Sequence, residues 1–205
     1  MLHQVKEWLL GNFWLYNWIR PFLLGGFDFS KCYDWLDVGP EDVVVDIGCG
    51  FGQSLTHLSA FKAYHGFDID ARAIQHCRQK FAKDGRISLY QRDLTQQDLD
   101  RIRPTKVLMM GLLHHLRPDQ ALQLLGWLSQ QPGLRKSVTQ DPVYLPGQWI
   151  NNLIARLDRG RFVQDQMGYE KFMELSGLTI RHRIHCASGS GLTHYFCLGL
   201  APEEA

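Results

Sequence analysis

Three aspartates stand at or just after apolar runs that have the composition of β-strands. Asp46 lies in "VVVDI", Asp68 in "GFDID" and Asp93 in "YQRDL". Ionised carboxylates accept hydrogen bonds, so such groups can hold ribose hydroxyls, an exocyclic amine or a cationic group. Ligands of open parallel sheets bind outside the carboxyl ends of the strands. We therefore expect the three carboxylates to converge on one crevice.

A glycine-rich turn follows the first aspartate in the stretch "VVVDIGCGFG". Gly48 and Gly50 permit a tight bend and a close approach of the backbone to a ligand. The dinucleotide fingerprint G-x-G-x-x-G, counted from Gly48, requires glycine at a position where the chain has Gln53. A carboxylate at Asp46 also suits a cationic group better than a pyrophosphate, because two negative groups repel. The pattern disfavours an NAD(P)-dependent oxidoreductase, which is kept as an alternative.

Two adjacent histidines in "GLLHHL" are the leading candidates for acid–base chemistry. The ordinary histidine pKa of about 6.5 suits a general base near neutral pH, so His115 and His114 are predicted as catalytic residues. The alternative is that one histidine holds the loop and neither contacts substrate. His194 and Asp141 are second candidates, with Asp141 also interpreted as a turn former before a proline.

A cluster of arginines in "RLDRGRF" has two interpretations. Arg156, Arg159 and Arg161 can bind an anionic acceptor, since the guanidinium fork fits carboxylates and phosphates. The alternative is a solvated turn in which they pair with Asp158, because surface ion pairs are common.

No metal site is predicted from the sequence. The five cysteines include no C-x-x-C pair, which is typical of a protein from the reducing cytoplasm. His182, His185 and Cys186 lie close together in "RHRIHC". Positions 182 and 185 of a strand point to opposite faces, so one ion could not easily bind both histidines.

Alternating strand and helix patterns position these residues. The predicted strands are 43–47, 63–69, 86–91, 106–111, 135–140, 178–185 and 193–200. The predicted helices are 53–60, 71–83, 118–130, 148–157 and 169–176. This order predicts an α/β fold: a Rossmann-like, seven-stranded, mostly parallel sheet with helices on both faces, in a single domain that ends in an antiparallel hairpin.

Composition narrows the class of protein further. The 205 residues carry a net charge of +1 with scattered basic residues, so neither a nucleic-acid partner nor membrane association is expected. Aromatic residues concentrate near the N-terminus, and residues 1–40 are predicted to be a helical cap or lid on a domain spanning 41–205; packing of this segment into the core and a role as an interface are left open. The oligomeric state is left open.

Taken together, the motifs resemble those of class I S-adenosylmethionine-dependent methyltransferases, in particular small bacterial members that act on small molecules. "VVVDIGCGFG" is similar to the first motif of that family, "GFDID" to the acidic motif after the second strand, "QRDL" to the third motif, and "GLLHHL" to the region after the fourth strand. The resemblance implies S-adenosylmethionine as cofactor. The cofactor-binding residues that it implies are Asp46, Gly48, Cys49, Gly50, Asp68, Ile69, Asp93, Leu94 and Gly111.

The resemblance also assigns roles within that set. Asp46 and the glycine backbone would hold the methionine end, Asp68 the ribose, and Ile69 the adenine face. Asp93 and the backbone N–H of Leu94 would hold the adenine edge. The expected reaction is in-line methyl transfer to a small-molecule acceptor, with oxygen favoured as the acceptor atom; a non-catalytic cofactor-binding protein is a further alternative.

Overall fold

The computed structural model describes residues 26–202, and the structural statements below concern that part of the chain. The first part of the predicted N-terminal cap, 1–25, lies outside the described residues, as do 203–205. The remainder of the predicted cap includes a helix, Ser30–Leu36, that contacts the sheet.

The strands form one sheet in the order β3-β2-β1-β4-β5-β8-β7, with a two-residue strand β6 beside β5. Strands β1 to β5 run parallel, whereas β8 is antiparallel to both β5 and β7. The predicted seven-stranded, mostly parallel sheet with a C-terminal antiparallel hairpin is confirmed. The strands are β1 Val43–Ile47, β2 Ala63–Asp68, β3 Ile87–Gln91, β4 Lys106–Met110, β5 Lys136–Tyr144, β6 Gln164–Asp165, β7 Leu178–Ala187 and β8 His194–Pro202.

Helices cover both faces of the sheet because side chains alternate along each strand. On β1, Val44 enters a core that includes Leu36 from the first helix, whereas Val45 enters a core with Leu125 and Met173 from two later helices. The helices are α1 Ser30–Leu36, α2 Ala71–Lys80, α3 Gln96–Ile102, α4 Pro118–Ser129, α5 Trp149–Leu157 and α6 Gln166–Ser176.

The predicted helix at 53–60 is wrong. The chain forms only a short 3-10 turn there, Ser54–Thr56. The Thr56 hydroxyl donates to the carbonyl of Gln53 at 2.7 Å. Hydroxyl side chains of this kind compete with the backbone for hydrogen bonds, which disfavours continuation of the helix.

One helix was not predicted between the third and fourth strands. α3 begins with a capping box in which Thr95 and Asp98 each accept a backbone hydrogen bond from the other residue. The pattern S/T-x-x-E/Q is the usual signal for this motif, and aspartate takes the acidic position here. With seven residues the helix is too short to give a clear apolar period.

The strand order places a crevice at the carboxyl ends of β1 and β4. The chain winds outward from β1 to β3 on one side, then returns to place β4 on the other side of β1. Loops after these two strands diverge, and ligands of doubly wound sheets bind at this switch point. The glycine turn and the histidine pair both follow strands that border it.

Candidate functional site

The glycine turn after β1 is tied to the second predicted carboxylate. Gly50 has a φ of 51°, a left-handed conformation that favours glycine, and its N–H donates to Asp68 Oδ2 at 2.8 Å. The N–H of Asp70 donates to the other oxygen, Oδ1, at 2.8 Å. Asp68 is therefore fixed at the end of β2 with lone pairs on both oxygens still available to a ligand.

Asp46 is completely buried at the base of the same turn. The Tyr64 hydroxyl donates to its Oδ2 at 2.6 Å, while Oδ1 has no hydrogen-bond partner among residues 26–202. Burial raises the pKa of Asp46 to about 6, although the hydrogen bond from Tyr64 acts in the opposite direction. A cationic group brought close to this carboxylate would favour its ionised form.

A cavity of 670 Å³ lies above the switch point, within the range of cofactor sites. Ile69, which is 71% exposed, offers an apolar side chain at its wall. The structure brings seven predicted site residues into the lining: Gly48, Asp68, Ile69, Asp93, Leu94, Gly111 and His115. Four others lie outside the lining: Asp46, Cys49, Gly50 and His114.

Sequence reasoning missed several further residues of the lining, among them Phe67, Asp70, Arg92, Leu112 and Leu116. Arg92 is held in place by Asp98, whose two oxygens lie 2.6 and 2.8 Å from its guanidinium nitrogens. Hydrogen bonding from Arg92 lowers the pKa of Asp98. The capping box of α3 could have indicated this carboxylate, but not its arginine partner.

His114 is buried between two carboxylates. Its Nδ1 lies 2.7 Å from Asp141 Oδ1, and its Nε2 lies 3.2 Å from Asp158 Oδ1. Burial alone would lower the pKa of His114, but the two carboxylates outweigh burial and raise it to about 9. The ring is therefore an imidazolium at neutral pH, with both N–H groups already engaged.

His115 lines the cavity beside this buried cation. The two rings lie 4.1 Å apart between centroids. The pKa of His115 is lowered by desolvation and by the charge of His114. A neutral imidazole at this position can accept a proton at neutral pH.

A second cavity of 250 Å³ adjoins the first, and Gly111 and His115 line both. Phe27, Phe29 and Tyr195 form an aromatic wall: the phenylalanine rings stack at 5.5 Å, and Tyr195 meets them edge-on at 4.7 and 5.6 Å. The remaining lining residues, His114, Gln140 and Asp158, are polar. An apolar wall with a few polar groups is typical of a small-molecule site.

The three arginines of the "RLDRGRF" segment lie in different surroundings. Arg159 reaches the larger cavity, while Arg156 lines a different surface cavity near Trp149, and Arg161 is exposed. Asp158 approaches the His114 ring, with its Oδ1 3.2 Å from Nε2. Nothing in the sequence spacing connects this segment with the histidine pair.

Gly160 explains how that segment fits. A Cβ at this position would lie 1.9 Å from His114 Cδ2, so a side chain is excluded. The backbone N–H of Phe162 also donates to the His114 carbonyl at 3.0 Å. The segment therefore closes over the histidine by close backbone contact.

The second candidates for acid–base chemistry, Asp141 and His194, do not have the positions expected for that role. The interpretation of Asp141 as a turn former is wrong, because β5 continues through it to Tyr144. Rigid strand geometry is what places its carboxylate against His114. His194 is on β8, where its N–H donates to Asn151 Oδ1 at 2.8 Å, and it does not line either cavity.

The histidines considered for a metal have separate surroundings. The His182 ring packs near Trp35, with centroids 4.2 Å apart, and the His185 ring packs near Phe196 at 4.8 Å. Within the described part of the chain, neither belongs to a group of residues that could share an ion.

Comparisons with known proteins agree with the resemblance that the sequence motifs indicate. Residues 44–130 match a family model described as a methyltransferase domain. No curated protein matches the chain by sequence. The match to the family model supports the resemblance to class I S-adenosylmethionine-dependent methyltransferases over residues 44–130, the part of the chain that carries the predicted cofactor motifs. The oxidoreductase alternative is not supported.

Solved structures agree in fold. Geranyl diphosphate C-methyltransferase from Streptomyces coelicolor A3(2) is 13% identical with a TM-score of 0.66, covering 85% of this chain and 74% of that one. The N-methyltransferase NodS from Bradyrhizobium japonicum WM9 is 17% identical with a TM-score of 0.65, covering 85% and 94%. Magnesium protoporphyrin IX methyltransferase from Synechocystis PCC 6803 is 19% identical with a TM-score of 0.59, covering 80% and 75%. At these identities the likeness concerns the fold.

No helix within residues 26–202 is both long enough and apolar enough to cross a membrane.

Proposed function

We propose that the protein transfers a methyl group from S-adenosylmethionine to an oxygen atom of a small acceptor that binds in the 250 Å³ cavity. The observation that carries this proposal is the shared wall: Gly111 and His115 border both cavities. Two reactants held in these adjoining cavities can meet in one orientation, and orientation is the main contribution that an enzyme can make to a displacement reaction.

The larger cavity fits the cofactor chemically. Asp68 offers two fixed carboxylate oxygens for the ribose hydroxyls, and exposed Ile69 offers an apolar face for the adenine. Asp93 and Leu94 also line this cavity and would hold the adenine edge. Asp46, with its unpartnered Oδ1 within the described chain, would favour the positive amino group of the methionine end. Bound S-adenosylmethionine would supply an electrophilic methyl group.

His115 is the proposed general base. It lines both cavities and its lowered pKa keeps it neutral, so it can take the proton from an acceptor hydroxyl as the oxygen attacks. His114 has no such capacity, because both ring nitrogens are engaged by carboxylates. We assign it to positioning: it holds the turn that carries His115 and connects β5 with the "RLDRGRF" segment.

The choice of oxygen is part of this proposal. The names of similar structures include a C-methyltransferase and an N-methyltransferase, so the fold does not determine the atom. A neutral base beside an aromatic wall favours a hydroxyl acceptor, which gains most from losing its proton. Consistent with free, buried cysteines, we propose a reducing, cytoplasmic setting. The net charge of +1 supports the further proposal that the protein has no nucleic-acid partner.

A labelling experiment tests the proposal. The purified chain would be incubated with S-adenosylmethionine bearing a trideuterated methyl group and with fractions of a small-molecule extract, followed by mass spectrometry. We expect a labelled product whose methyl group is bonded to oxygen, and much less of it with His115→Ala. A label on carbon or nitrogen would contradict the proposed atom; no labelled small molecule in any fraction would contradict the acceptor class.

A further inference from the structure

Three cysteines from separate elements of the fold meet in the core beneath α1. Their sulfur atoms all lie within 4.8 Å of one another, and the Cys186 and Cys197 sulfurs are 3.8 Å apart. Cys32 comes from α1, Cys186 from β7 and Cys197 from β8. Because three separate elements supply one sulfur each, the fold itself assembles the group.

We propose that Cys32, Cys186 and Cys197 form a binding site for a soft, three-coordinate metal ion, monovalent copper. Thiolate sulfur selects soft ions such as copper(I), zinc and iron–sulfur clusters. A structural zinc site requires four ligands, whereas the group found in the described chain has three sulfurs and no nitrogen or oxygen donor. Three sulfur ligands complete the coordination of copper(I).

Burial would protect a bound ion at this position. Cys32 and Cys197 are 0% exposed and Cys186 is 7% exposed, so an ion there would be shielded from water. A cysteine that binds a metal is deprotonated, so copper binding should release protons from the three thiols.

The location connects the proposed metal site with the acceptor cavity. Cys186 lies opposite Tyr195 in the register of β7 and β8, and Cys197 lies opposite Gln140 in the register of β5 and β8. Directly opposed residues share a face of the sheet. The three sulfurs are thus on the face that bears Gln140 and Tyr195, both of which line the 250 Å³ cavity.

A competition titration tests this site. Reduced protein would be titrated anaerobically with copper(I) in the presence of a chromogenic copper(I) chelator. We expect one equivalent of copper to move to the wild-type chain. Cys32→Ser and Cys186→Ser should each weaken binding by about 100-fold, because losing a ligand should cost no less than the outer-shell changes that cost about 10- to 100-fold. Cys77→Ser, which changes a buried cysteine outside the group, should bind as the wild type does.

A wild-type measurement covers the case in which a variant fails to fold. X-ray absorption of the copper-loaded chain should give three sulfur neighbours around copper. Nitrogen or oxygen neighbours in place of sulfur, no stoichiometric binding by the wild type, or equal affinity in folded Cys32→Ser and Cys186→Ser would each overturn the proposal.

Discussion

The imidazole of His114 lies 2.7 Å from the carboxylate of Asp141, and this contact joins the turn after β4 to the end of β5. The His114 backbone N–H donates to the same oxygen at 3.1 Å, and the Thr139 hydroxyl donates to the other oxygen at 2.7 Å. Asp141 thus fixes both the ring and the backbone of His114. His115, the next residue, takes its place in the cavity wall from this support.

Removing the buried cation should destabilise the protein strongly. His114→Gln leaves Asp141 and Asp158 buried without their charged partner, and breaking a buried ion pair costs about 3 to 5 kcal/mol. Urea unfolding would measure the loss. The matched control is His76→Gln, an exposed histidine on α2, for which we expect a change within about 0.5 kcal/mol. Equal stability of the two variants would show that the pair contributes nothing.

The same pair predicts how stability depends on pH. The folded-state pKa of His114 is about 9, above the ordinary 6.5, so its stabilising effect is complete below pH 6.5. The effect is lost as pH rises through about 9, and the difference amounts to about 3 kcal/mol at 1.36 kcal/mol per pKa unit. Unfolding free energies of wild type and His114→Gln would be compared across this range. The difference in unfolding free energy between the two proteins should decrease as the pH rises. A difference that stays constant would contradict the assignment of a protonated His114 ring.

Gly160 provides a purely steric test of the same packing. Gly160→Ala places a methyl group 1.9 Å from the His114 ring and 2.7 Å from its carbonyl oxygen, so we expect a loss of about 3 kcal/mol or more. Gly126→Ala is the control, since a Cβ there meets nothing within 4 Å on α4 and alanine should stabilise the helix by about 0.4 to 1 kcal/mol. In thermal unfolding, we expect Gly160→Ala to lower the Tm and Gly126→Ala to raise it. A neutral Gly160→Ala would mean that the loop is not packed against His114.

His115 should affect turnover and not cofactor affinity. Loss of a general base lowers kcat by about 10²- to 10⁴-fold, so we expect His115→Ala to fall in this range once an acceptor is known. Because the pKa of His115 is lowered, wild-type kcat should fall only as the solution becomes acidic, below pH 6.5. S-adenosylhomocysteine affinity is the control and should be unchanged. A variant with wild-type turnover would instead support a loop-holding role for His115.

Much of the cofactor side of the site could be predicted because it is local. Asp68 and the glycine turn each follow a strand directly, and parallel strands bring their carboxyl ends to one edge, so short motifs are enough to locate them. The role of His114 could not be predicted. Its partners Asp141 and Asp158 come from a distant strand and a distant loop, and their approach depends on tertiary packing that leaves no spacing in the sequence.

The cysteines fall outside sequence prediction for a similar reason. Cys32 is separated from Cys197 by most of the chain, and no short spacing of the kind that identifies zinc ligands relates them. Only the order of β5, β8 and β7, with α1 across them, places their sulfurs together.

The most direct test of the central claim, that the 670 Å³ cavity holds the cofactor through Asp68, is calorimetry with S-adenosylhomocysteine. The wild type should bind one equivalent, and Asp68→Ala should lose about 1.5 to 3 kcal/mol of binding free energy, the value of hydrogen bonds to a charged group. Asp34→Asn, an exposed carboxylate on α1, should bind as the wild type does. Unchanged affinity in a folded Asp68→Ala variant would contradict the assignment of this cavity.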